Sequence, residues 1–118
     1  MFIAMNRFKV RIGFEDEFEK IWKDRDSRLK EVPGFMEFHL LKGPNAESHQ
    51  LFVSHTIWAS KDSFEAWTRS ESFRQAHKSA GDRRHIYLEG PHFEGFEEVP
   101  GLTQKTDLAQ NCLEDVRQ

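Results

Sequence analysis

The chain has 118 residues, 17 basic against 20 acidic side chains and a formal charge of −3. That fits one domain and argues against non-specific nucleic-acid binding, which needs a basic footprint. One cysteine, Cys112, excludes an intrachain disulfide and every multi-cysteine zinc or iron–sulfur site. No apolar run approaches the roughly 18 residues of a membrane span, and Asn6 and Arg7 arrive too early for a signal-peptide core. A cytoplasmic protein with no membrane partner is expected.

Phe2, Ala4, Asn6, Phe8, Val10 and Ile12 alternate with Arg7, Lys9 and Arg11, and period two predicts a strand with one apolar face. After Gly13 the period lengthens. Phe14, Phe18, Ile21, Trp22, Arg25, Leu29 and Val32 form one helical stripe, with acidic residues in its first turns and Pro33-Gly34 as its stop. Phe35 to Leu41 predicts a second strand, residues 43–48 a turn, and Leu51 to Trp58 a third strand with bulk on both faces. Ser60 or Ser63 caps a helix carrying Phe64 and Trp67, and Ser70-Glu71-Ser72 bends or restarts it ahead of Phe73, Ala76, His77 and Ala80. Residues 81–84 read as a loop and Pro91 to Val99 as the last strand. Pro100-Gly101 closes a domain over residues 1–100. Residues 101–118 form a polar tail, either frayed or holding a short helix through Leu108, Cys112, Leu113 and Val116.

The order β-α-β-β-α-β is the ferredoxin-like pattern of the α+β class, an antiparallel sheet with helices on one face. Met5, Phe35, Leu41, Phe52 and Trp58 fall on the other parity. A second apolar face needs cover, and a face-to-face homodimer is the simplest.

Four places invite chemistry. Asn6 shares the inward parity, so its amide either pairs with nearby backbone or points into a ligand pocket. Trp67 is either a core tryptophan or the wall of a site for a planar molecule. His77 lies on an apolar stripe whose small neighbours, Ala76 and Ala80, leave room for something large and flat. One neutral imidazole in an aromatic pocket is what haem iron requires on its proximal side. Arg74, Lys78, Arg83 and Arg84 flank it, either as a solvated basic face or as partners for carboxylates. The remaining histidines show no zinc-protease or structural-zinc spacing, and no phosphate-binding glycine motif is present.

Several segments carry a resemblance: Ala4-Met5-Asn6-Arg7, Val32-Pro33-Gly34-Phe35, Leu40-Leu41, Trp58-Ala59-Ser60-Lys61-Asp62-Ser63-Phe64, and Trp67 through Ser70, Phe73, Ala76, His77 and Lys78. Over residues 2–99 the chain resembles the antibiotic-biosynthesis-monooxygenase-like domains. The Asn6…Trp67…His77 set, with its spacing, is similar to that of their haem-degrading, IsdG-type branch. The resemblance implies a dimeric α+β barrel in which each protomer holds haem between sheet and helices. His77 is then the proximal iron ligand, Asn6 the hydrogen-bond partner of the distal ligand, and Trp67 the wedge that buckles the porphyrin. Trp22 stands where that branch places a phenylalanine on the distal side, Phe64 and Phe73 border the pocket, and Arg83 and Arg84 reach the propionates. The implied activity is oxidative opening of haem with O2 and electrons from an external reductase, yielding an open-chain tetrapyrrole and iron. Two other readings stay open: a cofactor-free monooxygenase of quinols or polyketides, since fold alone does not choose a chemistry, and a non-catalytic haem-binding protein.

Overall fold

A computed structural model describes residues 1–25, 28–77 and 84–105. Strand β1 spans Phe2–Arg11, helix α1 Glu15–Asp24, strand β2 Phe35–Asn45 and strand β3 His49–Trp58. Helices α2 (Lys61–Thr68) and α3 (Glu71–His77) follow, and strand β4 covers Tyr87–Glu97. The sheet order is β2-β3-β1-β4 with every neighbouring pair antiparallel, the expected ferredoxin-like arrangement.

The β1–β3 register pairs Phe2 with Trp58, Ala4 with Thr56, Asn6 with Ser54, Phe8 with Phe52 and Val10 with Gln50. Side chains directly opposite share a face, so this whole set looks toward the helices. Two apolar clusters form there. One joins Phe8, Val10, Phe18, Phe52 and Ile86; the other joins Phe2, Ala4 and Trp58, with Leu29, Val32, Phe35, Phe64 and Trp67 against them. Phe52 and Trp58 therefore sit in the helix-covered core, 2% and 0% exposed, with Phe35 packed on Trp58 there, and none of the three is on the opposite parity. The second face carries Ile3, Met5, Leu51, Val53 and Ile57, together with His55. It remains rich in apolar side chains. Ile12 lies beyond β1 and is 47% exposed, so it does not continue the inward row.

The helix expected over residues 14–32 is broken in two. Helix α1 stops at Arg25, whose backbone is extended, and the chain re-forms as a short 3-10 turn at Leu29–Glu31 after Arg28 takes a left-handed φ of 53°. Asp24, the last residue of α1, is of a type that competes for backbone hydrogen bonds and favours such ends over helix interiors. The break splits the stripe: Phe18, Ile21 and Trp22 pack on the first cluster, Leu29 and Val32 on the second.

Gly34 has φ +84°, and a Cβ there would collide with the Ser63 side chain, so Pro33-Gly34 brings the start of β2 directly against α2. Ser60 caps α2 by accepting from the Ser63 N–H, and Ser70 caps α3 by accepting from the Phe73 N–H. Strand β2 runs on to Asn45, through half of the expected turn, because buried Gln50 donates to the Gly43 carbonyl at 2.6 Å and holds the strand end in place. Strand β4 starts at Tyr87 and not at Pro91, because Ile86 is fully buried in the first cluster and anchors its entry. The Leu108–Val116 segment lies outside the described residues, as do Asp26, Ser27 and residues 78–83. Among the described residues, no helix is long and apolar enough to cross a membrane.

Candidate functional site

Between the two clusters the helix-facing side of the sheet is hollow. Ala4 and Thr56, then Asn6 and Ser54, supply small or polar side chains where the rows at either end supply aromatics. The resulting cleft has two lobes that share Asn6, Trp22, Arg25 and His77. One, about 240 Å³, is also lined by Ser54, Thr56, Phe64, Trp67 and Ala76; the other, about 410 Å³, by Phe8, Ile21, Arg84, Tyr87 and the start of β4. The sheet forms the floor, α2 and α3 one wall, and α1 the other.

His77 closes the last turn of α3. Its Nδ1 lies 2.8 Å from the Phe73 carbonyl. A carbonyl only accepts, so Nδ1 carries the proton and Nε2 keeps its lone pair. Burial pushes the imidazole below its ordinary pKa; the bond to Phe73 opposes that, and the Arg25 charge adds to it. The ring is therefore neutral near pH 7. Phe73 stacks on it with centroids 4.2 Å apart, and Trp67 meets Phe73 edge-on at 4.8 Å. The aromatic packing leaves the His77 ring little freedom to turn.

Trp67 packs on Trp58 at 5.3 Å and reaches the cleft from α2. Trp22 enters from α1, stacks on Phe38 at 5.6 Å, and carries the Arg25 guanidinium over its ring at 4.1 Å. The indole N–H groups of Trp22 and Trp67 are buried without a hydrogen-bond partner. Asn6 looks up from the floor, and among the described residues its amide has no partner either. Buried polar groups are nearly always satisfied, so two buried, unspent indole donors beside the open Asn6 amide mark the cleft as a place where something binds. Thr56 differs: its hydroxyl accepts from Trp58 Nε1 at 2.9 Å and donates to the Ala4 carbonyl.

The structure thus brings Asn6, Trp22, Phe64, Trp67 and His77 to one cleft, with Arg84 at the far lobe. Phe73 supports His77 from behind and is absent from the lining. Arg74 is occupied on its own helix by Glu71 at 2.6 Å. Arg83 and Lys78 lie outside the described residues. No group of three or more histidine, cysteine, aspartate or glutamate side chains gathers as a metal site among the described residues. Arg25, Ser54 and Tyr87 also line the cleft without having been singled out from the sequence. For Arg25 there was a signal, a lone charge on an otherwise apolar helical stripe. Such a cleft can clamp a flat apolar molecule between an imidazole lone pair on one wall and hydrogen-bonding groups on the floor.

The sequence profile of the antibiotic biosynthesis monooxygenase family matches residues 1–79. A protein of Staphylococcus haemolyticus named heme oxygenase (staphylobilin-producing) is 27% identical over 79 residues, which is 67% of this chain and 75% of that protein. Among solved structures, the heme-degrader MhuD of Mycobacterium tuberculosis, with two hemes bound in its active site, superposes with a TM-score of 0.62 at 28% identity, covering 87% of this chain and all of that one. SnoaB, a cofactor-independent oxygenase from Streptomyces nogalater, shares the fold at TM-score 0.62 and 21% identity, over 87% of this chain and 97% of that one.

Proposed function

This chain belongs to the antibiotic biosynthesis monooxygenase family, and we propose that within it the protein is a haem-degrading oxygenase. Haem is the substrate. A reductase supplies electrons, O2 supplies oxygen, and an open-chain tetrapyrrole and iron leave. The observation that carries this reading is the His77 tautomer: Nδ1–H tied to the Phe73 carbonyl leaves Nε2 as a neutral ligand on the wall of an aromatic-lined cleft. The residues fit the group. Trp22, Phe64 and Trp67 line the cleft with aromatic surface suited to a macrocycle, and the unpartnered Asn6 amide lies on the floor, across from the helix wall that carries His77. Relatives named for heme oxygenase and heme degradation support the assignment.

When bound, haem supplies both the iron that activates O2 and the ring carbon that is oxidised. The protein supplies the rest. His77 holds the iron from the helix side. The Asn6 amide, unpartnered on the floor, would donate a hydrogen bond into the cleft where charge develops. Trp67, braced by Trp58 and Phe73, would bear on a bound macrocycle as a rigid wall and orient it in the cleft, a positioning effect. Arg84 meets a propionate at the open end. The second sheet face, with Ile3, Met5, Val53 and Ile57, packs against the same face of a second copy in a symmetric homodimer. The setting is the cytoplasm, and the released iron serves iron acquisition.

The test is a haemin titration of the purified protein followed at the Soret band, repeated with His77→Ala. We expect a saturable band that the substitution abolishes or shifts. No saturable band in the wild type overturns the haem reading and leaves cofactor-free oxygenation to be tested. A band untouched by His77→Ala moves the ligand elsewhere. With reductant and air the band should decay, and Asn6→Ala should keep haem yet turn over slowly. A stable band in the wild type indicates haem binding without catalysis.

A further inference from the structure

Ser54 stands next to Asn6 on the cleft floor. The two are direct partners across β1 and β3, which places their Cβ atoms about 4.5–5.5 Å apart on one face. Ser54 is 7% exposed, yet among the described residues its hydroxyl has no hydrogen-bond partner. It lines the same lobe as Asn6, Trp67 and His77. The contrast with Thr56, two residues along the same strand, is direct: that hydroxyl is used twice, by Trp58 and Ala4. The hydroxyl opens onto the cleft, where a valine or alanine would suit a central strand better and would offer nothing to a ligand. The hydroxyl therefore points to a taker that enters the cleft.

We propose that Ser54 is a second hydrogen-bond donor beside Asn6, directed at the small ligand on the haem iron across the cleft from His77, and that the two donors together set which ring carbon is attacked. The inference rests on the haem reading above. The serine O–H rotates about its C–O bond, whereas the amide offers donors in a fixed plane. Two donors of different reach on adjacent strands tilt a bound ligand toward one side of the ring. Removing the hydroxyl should loosen that tilt without disturbing the hold of His77 on the iron.

Cyanide is the probe, titrated into the ferric haem complex. Ser54→Val should weaken cyanide roughly threefold to tenfold, the worth of one hydrogen bond, leave the haemin titration unchanged and broaden the mixture of ring-opened isomers. Ser54→Thr, which keeps a hydroxyl, should restore cyanide affinity. If Ser54→Val does not fold, which thermal unfolding reveals, Ser54→Ala replaces it. Cyanide affinity unchanged in the hydroxyl-free variant, while Asn6→Ala weakens it, overturns the role of Ser54 and spares the haem reading. Affinity insensitive to both substitutions shows that the floor does not face the ligand, and overturns this proposal together with the donor role of Asn6 while sparing haem binding through His77. A wild type that takes up no haem overturns both together.

Discussion

Along the paired strands β1 and β3, filled rows and hollow rows lie side by side. At Phe8–Phe52 and Phe2–Trp58 aromatic side chains meet the helices and exclude space; at Ala4–Thr56 and Asn6–Ser54 the side chains are too short to do so. The backbone is continuous through both, since the β1–β3 ladder runs unbroken from Phe2 to Arg11. The difference teaches how a small domain keeps a cleft open: clusters at both ends carry the packing, so the middle need not collapse. Exchanging residues between the two kinds of row should break that division.

The largest effect is expected on the helix that packs over a filled row. Phe18, fully buried and 4.7 Å from Phe52, should lose roughly 3–5 kcal/mol of stability as Phe18→Ala, read by urea denaturation. Next comes the edge between the two kinds. Thr56→Val strands the Trp58 N–H in a buried place and should cost about 1–3 kcal/mol, whereas Thr56→Ser should retain most of it. In the hollow row the sign should reverse. Asn6→Leu fills space and removes an unpaired amide, so stability should hold or rise by up to about 1 kcal/mol while the haemin titration loses its saturable band. A variant that both unfolds more easily and still takes haem would contradict the division.

The smallest effect is a pH dependence. The fold holds the His77 imidazole below its ordinary value, so the unfolded chain takes up its proton first as pH falls. The stability tied to neutral His77 is intact above about pH 6.5 and declines as pH drops through the unfolded and then the folded value. His77→Phe should flatten that slope in apo-protein melts between neutral and mildly acidic pH. An unchanged slope in the variant would mean that the ring is as well hydrated in the folded protein as in the unfolded chain, and a steeper one that the fold favours the charged imidazole.

Much of this layout is visible in residue order alone. The alternation in β1, the serine caps at Ser60 and Ser70 and the Pro33-Gly34 stop are local, and local rules read them. Inward-facing periods mark Asn6, Trp67 and His77 as candidates in the same way, whereas Trp22 and Phe64 enter the cleft set only through the family resemblance. Other features depend on partners far along the chain. Alternation in β3 shows that two faces exist but not which faces the helices; pairing of Trp58 with Phe2 decides it, and puts Phe52 and Trp58 in the core. Ile86 looks unremarkable until the first cluster closes over it.

Periodicity and capping thus laid down the order of elements and the candidate side chains, because each depends on neighbours within a few residues. Which of those side chains share a cleft, and which hydroxyl is spent and which is free, were settled only by assembly. These are facts about register and burial, and both arise between residues that distant parts of the chain bring into contact.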